Sequence, residues 1–167
     1  ARRRLYYNRK GCDSNRSLAL LPVDVVSHNM RVITEVPDLR GRYVLVRASL
    51  NVPLEASVVR SGFRIQRALP TLRYLHEQGA RTIILSHIGR EETATLQPVY
   101  DALAAHLPVQ WGGRVGSDTL RTRRALLGDG DLLLAENLRQ DPREVANDSA
   151  FADELAALGE LYVNDAF

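Results

Sequence analysis

Residues 82–90 read TIILSHIGR, a β-rich apolar run that stops at a serine, a histidine, a glycine and an arginine. A run this short, with Gly79 just before it, fits a buried strand better than a helix, and the polar residues fall just past its carboxyl end. The same alternation recurs along the chain. Residues 43–48 (YVLVRA) form a strand-like run containing Arg47 and leading into Ser49 and Asn51. Residues 108–111 (PVQW) form a third run, residues 131–135 (DLLLA) a fourth leading into Glu136, Asn137 and Arg139, and residues 161–163 (LYV) a fifth before Asn164 and Asp165. Helical spacing fills the intervals. Residues 63–78 carry Ile65, Leu69, Leu72 and Leu75, with Gly79 placed to end the helix, and residues 98–107 carry Val99, Leu103 and Leu107. Residues 117–127 start at a capping Ser117 or Asp118 and stop at Gly128, and residues 148–158 put Phe151, Leu155 and Leu158 on one face. Strands alternating with such helices predict an α/β fold, a Rossmann-like parallel sheet with helices on both faces in three α/β/α layers. The unbroken apolar runs TIIL and LLLA suit strands buried on both sides.

Open parallel sheets bind ligands beyond the carboxyl ends of their strands, and here those ends are polar and basic. If the strands all run one way, Arg47, Ser49, Asn51, His87, Gly89, Arg90 and Arg139 share one rim, joined by Arg64 from the start of the first helix. Several cations at one mouth are costly without an anion to neutralise them, so a phosphate or carboxylate ligand is expected. Singly, each residue has a plainer reading. His87 is then a loop histidine, Gly89 a turn former, Arg64 a solvated arginine, and Arg47 the partner of an acid such as Glu136; Asn164 and Asp165 are ordinary turn residues. Their joint placement is what favours a binding site.

Composition narrows the partners. The formal charge is +2, but residues 1–30 carry six basic residues against Asp13 and Asp24, so the remainder holds 16 basic against 18 acidic residues. A mildly acidic domain gains little from phosphate counterion release, and no nucleic-acid partner is expected. No apolar run approaches the roughly 20 residues of a bilayer helix, so no membrane span is expected. Cys12 is the only cysteine, which excludes an internal disulfide and a cysteine zinc site and fits a reducing, cytoplasmic setting. Residues 1–29 show no steady periodicity and precede Met30, the only methionine; they read as a disordered or non-native extension. Residues 30–167 read as one domain, expected to be incomplete because the sequence stops at Phe167 directly after LYVNDA.

The strings VLVRASLNVPL, FRIQRALPTLRYLHEQGA, TIILSHIGR, GDLLLAENLR and LGELYVNDAF, in this order, resemble the amino-terminal, substrate-binding half of the phosphoglycerate kinases. That resemblance implies reversible phosphoryl transfer between 1,3-bisphosphoglycerate and ADP, giving 3-phosphoglycerate and ATP. It also implies that Mg2+ and ATP or ADP are held by a nucleotide-binding domain missing here, that this piece binds no cofactor and does not turn over alone, and that the protein is a monomer. By the resemblance Asn51 and Ser49 belong to the substrate loop, Arg64 meets the transferring phosphoryl group as the catalytic arginine, and Arg47 shapes the loop. His87, Gly89, Arg90 and Arg139 belong to the site for the non-transferring phosphate. The chain departs from the family pattern at Ser49, where the family has an aspartate, at Gln140 in place of a phenylalanine, and at Glu91 and Glu92, which bring negative charge towards the phosphate loop. Gly112, Gly113 and Gly116 lack the Lys and Ser/Thr of a phosphate-cradling nucleotide loop. The alternative is an anion-binding or interaction module that keeps the fold without the chemistry.

Overall fold

The structure, a computed structural model, describes residues 6–9 and 32–166. Its elements in chain order are β1 (Tyr6–Arg9), β2 (Tyr43–Ala48), β3 (Leu54–Glu55), β4 (Val58–Val59), α1 (Phe63–Glu77), β5 (Arg81–Leu85), α2 (Gln97–Ala104), β6 (Val109–Gly113), α3 (Asp118–Ala125), β7 (Leu132–Ala135), α4 (Pro142–Val145), α5 (Ser149–Ala156) and β8 (Leu161–Asp165). Single 3-10 turns lie at Ile33–Glu35 and Leu138–Gln140.

Five strands run parallel in the order β8-β2-β5-β7-β6, and β1 pairs antiparallel with the outer edge of β8. Strand side chains alternate between two cores. Val44, Val46, Ile84, Leu132, Leu134 and Val163 face the layer built by α1 and α2, where Leu72, Leu75, Val99 and Leu103 are fully buried. Leu45, Ile83, Leu85 and Leu133 face Leu120 of α3 and Phe151 of α5. The architecture is therefore the expected three-layer α/β/α sandwich, and β7, fully buried along LLLA, shows why its residues do not alternate in polarity.

Local chemistry sets the helix ends. In α1 the Gly79 N–H donates to the His76 carbonyl and the Ala80 N–H to that of Leu75, with Gly79 at φ +74°, a left-handed position glycine fills without strain. Ser117 Oγ accepts the Leu120 N–H at 3.2 Å to start α3, and Asp148 Oδ1 accepts the Phe151 N–H at 2.8 Å to start α5.

Three differences from the sequence reading bear on the site. β8 runs on through Asn164 and Asp165, whose partners in β2 are Arg47 and Ala48, so these two residues end a strand instead of making a turn. The four-residue helix α4 and the hairpin β3–β4 are new, being too short to carry a periodic signal. A strand also forms at Tyr6–Arg9, where the sequence shows no steady periodicity; the rest of the segment 1–31 lies outside the described residues.

Candidate functional site

The chain leaves β5 towards β6 on one side and leaves β7 towards β8 on the other. β5 and β7 are neighbours, so their carboxyl ends flank the crevice where connections diverge, the place open α/β sheets use for ligands. Asn137 closes the base of this crevice. Its side chain is 3% exposed, and its Nδ2 donates to the carbonyls of Ile88 (3.0 Å) and Ala94 (2.7 Å). Its Oδ1 accepts the N–H groups of Ile88 and Arg139, both at 3.1 Å. One buried amide thus fixes the loop after β5 to the turn after β7.

The loop after β2 is tied down similarly. Ser86 Oγ donates to the Ala48 carbonyl at 2.8 Å and accepts the Leu50 N–H at 3.1 Å. Leu50 and Val52 point into the core, which turns the half-buried Ser49 and Asn51 the other way. Asn51 Oδ1 accepts the Gly89 N–H at 3.2 Å, and Arg64 Nη1, from the first turn of α1, donates to Ser49 Oγ at 2.6 Å. A neutral hydroxyl here leaves the Arg64 charge uncompensated by its partner.

The cationic cluster sits beside these loops. Arg47 Nη2 lies 2.9 Å from His87 Nδ1. A guanidinium has no acceptor, so Nδ1 must accept and the His87 proton sits on Nε2. Burial, together with Arg47, Arg139 and Arg64, holds the His87 pKa below its ordinary value, while Glu144 pulls the other way. His87 is thus a neutral donor through Nε2–H, not one more positive charge. Burial also lowers the pKa of Arg47, opposed by Glu144 and Tyr162, and its Nη1 is buried with no hydrogen-bond partner.

The acid in this cluster is Glu144 of α4. Its Oε1 lies 3.4 Å from Arg47 Nη2 and its Oε2 accepts from Arg139 Nε at 2.9 Å, with its side chain 18% exposed. Glu136, the sequence candidate for pairing with Arg47, does something else. It accepts from Thr95 Oγ1 (2.8 Å) and from the N–H groups of Leu96 (2.9 Å) and Asn137 (2.7 Å), bracing the start of α2. Sequence reasoning missed Glu144 because 97 residues separate it from Arg47 and α4 is too short to be read.

Ser49, Asn51, Arg64, His87, Gly89 and Arg139 are thus joined to this rim by direct bonds or a shared electrostatic neighbourhood. Arg90 follows Gly89 on the exposed loop and forms no hydrogen bond or ion pair with the described residues. Glu91 and Glu92 are exposed beyond it, and neither carboxylate bonds to the cluster. A cavity of about 420 Å3 opens on the α5 side of the sheet; among the site groups it touches only Arg47 and Glu144, and Leu45, Phe151 and Leu161 line its floor. Among the described residues no group of three or more His, Cys, Asp or Glu is placed to hold a metal, and no helix is long and apolar enough to cross a membrane. The basic rim does not fit a divalent cation and is suited to an anion.

Comparison with known proteins bears on the family and the fold. Residues 33–167 match the family model described as phosphoglycerate kinase. The phosphoglycerate kinase of Methylobacterium radiotolerans is 44% identical over 144 residues, covering 82% of this chain and 36% of that protein. Among solved structures, phosphoglycerate kinase from Coxiella burnetii superposes with a TM-score of 0.66 at 31% identity, over 76% of this chain and 32% of the other. The Pyrococcus horikoshii enzyme does so with a TM-score of 0.64 at 25% identity, over 73% and 33%. The chain therefore spans about a third of the length of the relatives it matches.

Proposed function

Since this chain belongs to the phosphoglycerate kinase family, we propose that residues 30–167 form its acid-substrate lobe and grip 3-phosphoglycerate or 1,3-bisphosphoglycerate at the rim just described. The reaction served is phosphoryl exchange between 1,3-bisphosphoglycerate and ADP. Mg2+ and nucleotide are assigned to the portion of the relatives that this chain does not span. In that partition the chain alone binds the acid without turnover, as a cytoplasmic monomer.

The observation that carries the reading is the convergence of donors from four separate segments on the β5/β7 crevice. His87 Nε2–H, the Arg139 fork and Arg90 hold the non-transferring phosphate. Asn51 and Ser49 orient the glycerate end, and Arg64 meets the phosphoryl group in flight. Such chemistry asks for positioning and charge stabilisation more than covalent participation. A neutral His87 suits this role, because it donates to a phosphate without adding to the repulsion among Arg47, Arg64 and Arg139.

Calorimetric titration of the chain with 3-phosphoglycerate tests the binding half. Weak, salt-sensitive binding is expected, and His87→Ala, Arg90→Ala or Arg139→Ala each weaken it about 10- to 100-fold, the loss of one or two charge-assisted hydrogen bonds. Binding indifferent to all three places the anion elsewhere. In the two-lobed enzyme, Arg64→Ala lowers kcat by orders of magnitude with a smaller effect on ground-state binding, and near-normal turnover removes its assigned role. Ser49, a hydroxyl where the family has a carboxylate, favours a second reading, a binding module without catalysis; anion binding with no turnover in the two-lobed form selects it.

A further inference from the structure

We propose that Glu144 is a positioning residue of the anion site, holding Arg139 and, through Arg47, His87 in the orientation that receives a phosphate. The inference rests on the substrate-lobe reading above and assigns a role to a residue outside the loops that carry the site.

Glu144 is built into place. Pro142 occupies the first turn of α4, and Asp141 caps it by accepting the Arg143 N–H at 3.0 Å. Arg143 then donates to Asp141 Oδ2 at 2.7 Å and to Glu154 Oε2 at 3.1 Å, and its guanidinium lies 4.7 Å from the Phe151 ring centre. This clasp fixes α4 against α5, so Glu144 meets the two arginines from a fixed platform. A largely buried glutamate persists only where it is paired, and here it is paired twice.

The way the pairing is made favours positioning over competition. Glu144 engages Arg139 at Nε, leaving the two Nη groups of that fork unspent, and engages Arg47 at Nη2, which also donates to His87 Nδ1. An anion can therefore take the Arg139 fork and His87 Nε2–H without displacing the carboxylate. One negative charge among Arg47, Arg64 and Arg139 also leaves the rim positive. The carboxylate is already paired with two arginines, so its repulsion of a ligand is weaker than the direct contacts it organises.

The test uses the full chain and 3-phosphoglycerate as probe, with Glu144→Ala and the volume-preserving Glu144→Gln. Calorimetry should show binding about tenfold weaker for Glu144→Ala and an intermediate loss for Glu144→Gln. Unchanged or tighter binding in both variants overturns the proposal, because a mere counter-ion releases its arginines when removed. Nitrogen-15 long-range correlation spectra of His87 supply the second readout. The groups facing this ring are Arg47 from β2, Arg139 after β7, Glu144 from α4 and Arg64 from α1. If Glu144 holds Arg47 on Nδ1, the variants lose the single Nε2–H tautomer and the His87 pKa rises towards the ordinary value of about 6.5. If the carboxylate acts by charge alone, Arg47 stays and the pKa falls further, which overturns positioning. Failure of the wild-type chain to bind 3-phosphoglycerate sinks the substrate reading instead, while the His87 spectra still decide the role of Glu144.

Discussion

His87 shows how burial and one hydrogen bond together decide the character of a site. The sequence presents it as a member of a basic cluster, yet burial, with Arg47 on Nδ1 and the neighbouring Arg139 and Arg64, keeps it neutral. The consequence for stability has a definite sign. The folded pKa is lowered, so the unfolded chain binds the proton more readily between that value and about 6.5. The stability linked to His87 is complete above about pH 6.5 and is lost as pH falls through the folded pKa. Urea midpoints measured from pH 7 to pH 5 should therefore decline for the native chain, and His87→Gln should flatten part of that decline. An identical slope in the variant would show that other groups govern the acid limb. Glu144 teaches the complementary lesson. That cations meeting at one mouth need an anion was legible from residue types and strand ends. Which acid of the chain itself would pair with Arg47 was not, since Glu136 and Glu144 are equivalent as letters and only the tertiary path of α4 chooses between them.

At the scale of elements, what was legible followed from burial. TIIL and LLLA declared themselves as strands because both faces are covered, and α1 because its apolar residues repeat over 15 residues. The elements missed are those whose sequences carry weak or misleading local signals. The hairpin is the clearest case: Leu54 pairs with Val59 and Glu55 with Val58, which leaves a two-residue loop at Ala56 and Ser57. Both adopt positive φ, +47° and +63°, a conformation that side chains disfavour and that Asn-Gly fills readily. Ala56→Asn with Ser57→Gly should therefore stabilise the chain by about 1 kcal/mol, seen as a higher urea midpoint. No gain would mean that the hairpin opens independently of the rest. The end of β8 carries a similarly misleading signal. Asn164 and Asp165 are turn formers by propensity, and pairing with β2 overrides it.

For the whole molecule, the alternation of strands and helices was enough to predict three layers, but not the strand order. Nothing in the letters says that β7 inserts between β5 and β6, or that β8 lies beyond β2. The order matters, because it sets β5 and β7 side by side with connections leaving in opposite directions and so makes the crevice. The charge distribution acts at the same scale. With the domain mildly acidic overall, attraction of an anion is confined to the rim, and 3-phosphoglycerate binding should weaken as salt rises from low to physiological strength, where the screening length shrinks to about 8 Å. Affinity insensitive to salt would argue against a charge-based grip.

The pairing of β2 with β8 has a further consequence, for how the polypeptide comes to be made. β2 pairs on one flank, through Tyr43–Arg47, with Arg81–Leu85, and on the other, through Val44–Ala48, with Leu161–Asp165, far later in the chain. A growing chain emerging from the ribosome therefore carries β2 with one flank bare until nearly all of this sequence has been synthesised. During that interval its unsatisfied amides and the apolar side chains YVLV are open to wrong partners, and the arrival of β8 is what removes the hazard.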